Sequence, residues 1–546
     1  MSRHILCLLI FTSFFSCKQE DPITPPVDAS VVSISINGKY IGNQGIAYDI
    51  PSDSVVFQLN FSSAIDKNKI DFTKFYFSNG LDTAFAFSSS NDPTQLIFKI
   101  RKPLKKYTFY TLIMTEGLNL GINLPQTYSF SFLTQLDYAP KFPTISDDSL
   151  LTLIQKQTYK YFNDYAHPTS GLARERLNSG ETVTTGGSGF GFLATLTAIH
   201  RGFISRENGF ALLNKAVTFL NTKADKFHGA FPHWLNGTSG KVQPFTTKDN
   251  GGDLVETAFL MQGLLTVSEY FKAGNTQEKA MCDTIQKLWR NVEWDWYRQN
   301  GQNKLYWHWS PNYNWDMNMP ITGYNEGLII YVLAASSPTH SIPKAVYEQG
   351  WARNGALRNG NKYLDITLPL GESYGGPMFF AHYSYLCLDP RNLKDQYANY
   401  WEQNVAHAKI NQKYCKKNPR NYYGYSADCW GLTASDIPNG YTASSPNNDV
   451  GVIAATAALA SMPYVPTESL RAARFFYYVL GDKLWGTYGF RDAFSLRQAW
   501  FADSYLAIDQ GPIVAMIENH RSGLLWNTFM QNKDIQTGLT KLGFTY

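Results

Sequence analysis

Cysteine is scarce in this 546-residue chain. There are six, of which Cys7 and Cys17 fall in the first seventeen residues, leaving Cys282, Cys387, Cys415 and Cys429. No CxxC occurs and no histidine stands at metal-ligand spacing from a cysteine, so the residues exclude a zinc site; no metal is expected. The four later cysteines read as single buried thiols, with Cys415 and Cys429 the first choice if a bridge forms. Charge of one sign is also lacking. Lys and Arg number 48 against 44 Asp and Glu, a net of +4, and no basic run interleaves with aromatics. That excludes the electrostatic footprint of a nucleic-acid partner. Beyond the first fifteen residues no apolar run is long enough for a membrane-spanning helix.

The N-terminus reads as a targeting segment. Arg3 and His4 form a polar end, and Ile5 to Phe15 form an apolar stretch too short to span a bilayer. Phe14-Phe15-Ser16-Cys17 then resembles a bacterial lipobox, with Phe14 in place of the usual leucine. Cys17-Lys18-Gln19-Glu20-Asp21 is similar to the acidic export signal of Bacteroidetes surface lipoproteins. The expectation is a signal peptide over 1–16, lipid attachment at Cys17 and a proline-bearing tether over 17–30. The protein would then be an outer-membrane lipoprotein facing the cell surface or the periplasm.

From residue 31 the texture is β. VVSISI (Val31–Ile36), VVFQLNF (Val55–Phe61), KFYF (Lys74–Phe77), QLIFKI (Gln95–Ile100), TFYTLIM (Thr108–Met114) and TYSFSFL (Thr127–Leu133) are short runs, several alternating at period two. Such strands over residues 31–136 predict a small immunoglobulin-like sandwich, read as a spacer. Tyr138-Ala139-Pro140-Lys141-Phe142-Pro143 reads as a linker, and 137–546 as a second, helical domain.

Within that domain six stretches read alike: SGFGFLATLTAIHRG, GGDLVETAFLMQGLL, TGYNEGLIIYVLAAS, YGGPMFFAHYSYLCL, NNDVGVIAATAALAS and IDQGPIVAMIENHRS. They open at 188, 251, 322, 374, 447 and 508, in steps of 63, 71, 52, 73 and 61. Each begins with Gly, Asn or Asp, as a turn or cap prefers, and then runs apolar nearly all round. A helix apolar on every side is buried. Most are followed by an amphipathic stretch, such as LLNKAVTFLNTKADKF from Leu212. Buried helix plus covering helix, six times over, predicts an all-α (α/α)6 toroid.

The carboxylates gather where the buried stretches open: Asp249, Asp253, Glu256, Glu326, Asp449 and Asp509. Paired carboxylates facing one cavity are the equipment for cleaving a glycosidic bond. Asp253 and Glu256, three apart, share a helix face or form a capping box. Glu326 is placed in the first turn of an apolar helix, where burial raises its pKa and suits a general acid. Asp509, before Pro512, is placed just outside its helix; Asp449 reads as a cap and Glu518 as half of an ion pair near His520 and Arg521. Aromatics make up 15% of the chain, and the loop from Glu293 to Pro320 carries Trp294, Trp296, Trp307, Trp309 and Trp315. Some of these are expected to form a sugar platform. Arg174 and Arg176 read as donors to sugar hydroxyls or as loop anchors.

GLARERLN from Gly171, GGDLVETAFLMQGLL, the Tyr324-Asn325-Glu326 turn and IDQGPIVAMIENHRSGLLW together resemble the bacterial glucoamylase-like domain, glycoside hydrolase family 144, the β-1,2-glucanases. The resemblance covers residues 147 to 546. It implies hydrolysis of β-1,2-glucan with inversion, endo-acting or sophorose-releasing, without a cofactor. Carried over residue by residue, it implies Glu326, Glu256, Asp253 and Asp509 as catalytic. Asp249, Arg174, Arg176, Trp307, Trp309, Trp315 and Tyr324 are the expected substrate contacts. A polysaccharide or oligosaccharide is the expected partner of a monomer. An (α/α)6 polysaccharide lyase and a non-catalytic glycan-binding lipoprotein are the alternatives, the first disfavoured by the near-neutral charge.

Overall fold

Alternation at period two puts every second side chain of a strand on one face, and that face needs cover. In the computed structural model, which describes residues 25–42, 45–78, 85–88 and 90–546, the cover is a second sheet. The lipobox and Cys17 lie outside the described residues. The chain divides into two compact units, Met1–Leu136 and Asp137–Tyr546.

In the first unit a five-stranded sheet runs in the order Lys39–Ile41, Val31–Ile36, Val56–Phe61, Gln95–Ile100, Phe85–Ser88. A four-stranded sheet runs Ile46–Ile50, Tyr128–Thr134, Phe109–Met114, Phe75–Phe77, its first pair parallel. Phe57 of the first sheet meets Phe77 and Phe132 of the second, at 5.8 and 5.6 Å between ring centroids. Phe57, Leu59, Leu112 and Phe132 are fully buried between them; each such side chain contributes about 1.5–3 kcal/mol.

The second unit is mainly helical. Helix Thr185–His200 is buried at every residue from Thr185 to Ala198. It packs on helix Leu254–Phe271 on one side and helix Ala507–Arg521 on the other. Glycine permits the first contact: a Cβ on Gly189 would lie 2.1 Å from the Phe259 carbonyl oxygen, and one on Gly263 would lie 2.3 Å from that of Gly189. Helix Leu328–Ser336, buried throughout, packs on Leu254–Phe271 in turn. Covering helices bury one face only. Asp147–Asn163 lies on Ala507–Arg521, and Thr276–Arg290, started by a capping box of Asn275 and Glu278, lies on Leu254–Phe271.

Two of the six buried stretches are not the helices expected. The fourth is two 3-10 turns, Met378–Ala381 and Tyr383–Leu386. Gly375 and Gly376 take positive φ of 97° and 80°, and Pro377 follows them. The Ser384 hydroxyl donates to the Glu326 carbonyl and accepts from the Ile329 amide, which pins the segment to its neighbour. The fifth is helical only over Ala455–Leu459, because residues 453–454 pair as a strand with Ala493–Ser495. Both are nevertheless buried, as their apolar composition requires, although neither keeps the helical period throughout. Glu518 is ion-paired, but to Arg201 at 2.7 Å. Arg521 instead bonds Gln155 and Asp148. Asp449 caps no helix; it accepts from the Gly451 amide and the Tyr425 hydroxyl. Cys282, Cys387, Cys415 and Cys429 are all free and buried.

Candidate active site

A cavity of about 410 Å³ opens where the buried segments begin. Glu256, Glu326, His233, Trp307, Tyr383 and Arg176 are among its lining residues.

Glu256 belongs to helix Leu254–Phe271, whose N-cap is Asp253. The expected capping box is half made. Asp253 Oδ1 accepts from the Glu256 amide at 2.9 Å, but the Glu256 carboxylate turns away from the cap. Its Oε2 accepts from the Gly186 amide at 2.9 Å and the Thr184 hydroxyl at 3.4 Å. That contact sets it on the first turn of helix Thr185–His200, where unpaired amides and the helix dipole favour an anion.

Asp253 has no exposed surface. Its Oδ2 accepts from His233 Nδ1 at 2.9 Å and from Trp307 Nε1 at 3.0 Å. The antiparallel pairing of Gly252 with Trp309 and of Asp253 with His308 fixes this arrangement. His233 is thus clamped by Asp253 on one ring nitrogen, and its Nε2 reaches to 3.9 Å from Glu256 Oε1. Phe245 stacks on the imidazole at 4.5 Å. Burial would lower the His233 pKa, but Glu256, Asp253 and Asp249 outweigh it and push it up to about 9. His233 is therefore a cation at neutral pH.

Glu326 is not in a helix. It lies in the turn before Leu328–Ser336, because Gly327 is the N-cap and Asn325 Oδ1 accepts from the Gly327 amide at 2.8 Å. Burial pushes its carboxyl up to about 7, with Glu256 and Asp253 adding their charge and only its own amide opposing. Burial also raises Glu256 to about 7, there against His233 and the Gly186 amide. The two glutamates face one cavity with opposite surroundings: one has a cation and a helix N-terminus, the other an apolar wall.

Asp509 is buried in the first turn of Ala507–Arg521, not outside it. The Asp509 and Gln510 amides both donate to the Leu506 carbonyl, at 3.1 and 2.9 Å, so the turn starts before Pro512. Asp249 is buried too, its Oδ1 3.0 Å from His308 Nε2. Neither Asp249, Asp253 nor Asp509 lines the cavity.

Of the other expected contacts, Trp307 and Arg176 line the cavity. Arg174 anchors its loop, donating to the carbonyls of Gly180 and Tyr165, both at 2.9 Å. Tyr324 is buried, with its hydroxyl on Asn404 Oδ1 at 3.1 Å. Trp309 and Trp315 pack with Trp296 away from the cavity lining, because their loop folds back on itself. His233, Tyr383 and Tyr441 line the cavity and were not picked out in the sequence. A lone histidine in Pro232-His233-Trp234 carries no spacing signal; the pairing that meets it is made by distant strands. Ligand atoms of His233, Asp249 and Asp253 lie within 4.8 Å of one another, the grouping nearest to a metal site among the described residues. Asp253 and His233 are already engaged with each other, so the set reads as a hydrogen-bonded clamp.

A family model described as "Putative glucoamylase" matches residues 318–533. An exo β-1,2-glucooligosaccharide sophorohydrolase (non-reducing end) of Parabacteroides distasonis is 46% identical over 420 residues, 73% of this chain. The match spans 58% of that relative's length. The solved endo-β-1,2-glucanase of Chitinophaga pinensis, in complex with sophorotriose and glucose, is 55% identical with a TM-score of 0.72. It covers 74% of this chain and 99% of its own. A β-1,2-glucanase structure from Parabacteroides distasonis covers 91% of this chain and 72% of its own, at 38% identity and a TM-score of 0.71.

Proposed function

The chain belongs to the glucoamylase-like family that includes these β-1,2-glucanases, and we propose that it is a glycoside hydrolase acting on β-1,2-glucan or its oligosaccharides. Relatives that cover most of their own length carry the substrate assignment. One observation carries the mechanism: the two glutamates of the cavity differ in electrostatic support. Glu326 has no cation beside it to oppose the burial that favours its protonated form, so it is the general acid. Glu256 is raised by burial as well, but His233 and the Gly186 amide pull it back toward the ionised form, so it is the base.

In the proposed reaction Glu326 protonates the glycosidic oxygen as its bond to the anomeric carbon breaks. A water attacks that carbon from the opposite face, and its proton passes to Glu256. One C–O bond forms, one breaks, and the configuration inverts. Inversion needs roughly 6.5–9.5 Å between the carboxyls to admit the water, a separation that side chains from two neighbouring buried segments can meet. The fold that goes with this reading is an (α/α)6 toroid behind an immunoglobulin-like unit. The anchor that goes with it is a lipid on Cys17 of an outer-membrane lipoprotein. No cofactor takes part, and the working unit is a monomer.

The test is product analysis on a panel of glucans, with proton NMR of the first anomer. Release of sophorose-type oligosaccharides from β-1,2-glucan as the α-anomer is expected. Glu326→Gln should lower the rate at least ~100-fold, the scale of general-acid catalysis, without unfolding. A β-anomer formed first, or a Glu326→Gln enzyme with half its activity, overturns the mechanism.

A further inference from the structure

The tryptophan-rich loop from Glu293 to Pro320 is only partly absorbed by the cavity. Trp307 lines it, and Trp294 is fully buried. Trp296, Trp309 and Trp315 form a separate aromatic cluster, with Trp296 6.3 Å from Trp309 and 6.4 Å from Trp315 between ring centroids. Trp296 is 40% exposed, the one tryptophan among the exposed large apolar side chains of the described residues. Trp309 and Trp315 are half-buried beside it. A lone exposed apolar residue is ordinary, but an exposed ring backed by two more marks a contact surface.

The cluster is held in place before any ligand arrives. His228 stacks on Trp296 with centroids 3.8 Å and planes 15° apart, and meets Trp309 edge-on at 5.0 Å. His228 Nδ1 lies 2.9 Å from Glu293 Oε2, and the Glu293 amide donates to the His228 carbonyl at 3.1 Å. One face of Trp296 is thereby covered by protein, and its exposed surface belongs to the rest of the ring. Ser310 and Asn314 exchange backbone hydrogen bonds at 3.0 and 2.7 Å, which closes the turn between Trp309 and Trp315. Rings fixed in advance lose little freedom on binding.

The chemistry of the surface points to its ligand. The indoles of Trp289 and Trp307 are committed to Asp534 and Asp253, whereas those of Trp296, Trp309 and Trp315 donate to no described residue. A flat apolar ring with a free N–H at its edge fits a pyranose, which offers C–H groups on its faces and hydroxyls round its rim. Charge nearby is balanced: Asp316, which follows Trp315, pairs with Lys248 at 3.4 Å. Such a surface suits an uncharged polymer rather than a polyanion.

We propose that Trp296, with Trp309 and Trp315, is an accessory surface outside the catalytic cavity that binds a neutral glucan chain. Trp309 stands two residues from Trp307, about 7 Å along extended backbone, so a chain held there stays beside the cavity. The choice of β-1,2-glucan as that chain rests on the hydrolase reading above; the surface itself does not.

The test uses the full chain carrying Glu326→Gln, which binds glucan without consuming it. β-1,2-glucan in a native gel should retard this protein, and adding Trp296→Ala should weaken the retardation about tenfold. Trp296→Phe, which keeps a flat ring, should restore most of it. A second measurement needs no Trp296 variant: oxidation of exposed indoles in the Glu326→Gln protein, mapped by mass spectrometry, should be slowed at Trp296 by β-1,2-glucan. Equal retardation with and without Trp296, or a Trp296 that oxidises as fast with every neutral glucan present as without, overturns the proposal. So does protection by an anionic polysaccharide alone. Trp296-dependent retardation and protection by another neutral glucan, but not by β-1,2-glucan, would refute the substrate reading and leave the surface standing.

Discussion

His233→Gln isolates the charge that separates the two glutamates. Glutamine can still donate to Asp253 Oδ2, and Trp307 Nε1 at 3.0 Å still bonds that oxygen, so the clamp survives while the cation goes. In wild type His233 Nε2 stands 3.9 Å from Glu256 Oε1. At an effective dielectric of about 20, such a pair is worth roughly 4 kcal/mol. Discounting to a third for the solvent that reaches the imidazole leaves about 1.4 kcal/mol, equivalent to about one pH unit in the Glu256 pKa. Between the discounted and the full interaction, the Glu256 pKa should rise by about one to three pH units. Glu256 must be ionised to accept the water's proton, so its pKa sets the ascending limb of kcat/KM against pH. Glu326 must be protonated, so its pKa, pushed up to about 7, sets the descending limb. Burial already raises both carboxyls to about 7, so loss of His233 moves the ascending limb past the descending one. At pH 6 the variant should lose about 10- to 1000-fold, a factor of ten for every pH unit the limb moves, and no pH should restore full activity. The assay is kcat/KM on β-1,2-glucan from about pH 4.5 to 9, with thermal unfolding as the check on fold. An ascending limb that stays in place in a well-folded His233→Gln protein refutes the division of roles between the glutamates.

Gly186→Ala tests the other support of Glu256. A Cβ there would lie 2.4 Å from Glu256 Oε2, so the carboxylate must leave the Gly186 amide. kcat should fall about tenfold for each ~1.4 kcal/mol of lost support. Stability should drop ~1–3 kcal/mol from overpacking; wild-type kcat would mean the amide contact is idle. Cys17→Ala should move the protein from the membrane to the soluble fraction with its specific activity unchanged, and a wild-type protein already soluble would refute the lipid anchor.

How much of this was legible depends on the range of the interaction. The strands over Val31–Ile36 and Gln95–Ile100 were readable because alternation at period two is local, and the structure has both with those bounds. The all-round apolar stretches were readable as buried for the same reason. Helix type was not. In the fourth stretch three local choices, Tyr374 at a φ of 64° and the two glycines after it, break the helix before its apolar residues begin. The Asp253 cap was legible from its spacing to Glu256, but where the Glu256 side chain goes was not. That depends on Gly186, 70 residues away.

The same contrast explains why the acidic residues could be found but not sorted. A carboxylate at the opening of a buried segment is a sequence signal, and it picked out Asp253, Glu256, Glu326 and Asp509 alike. What each can do depends on the donors that reach it, and apart from the local cap between Asp253 and the Glu256 amide those come from other parts of the chain. Asp253 receives His233 and Trp307, and Glu256 receives Gly186 and Thr184. Glu326, unlike Asp253 and Glu256, receives no hydrogen-bond donor from another segment, and burial is the leading influence on its proton. The role proposed for it as acid rests on that isolation as much as on its position. A substitution that brought a cation beside Glu326 would leave every cavity residue in place and still remove the acid, because the proton, not the carboxyl, is what the reaction consumes.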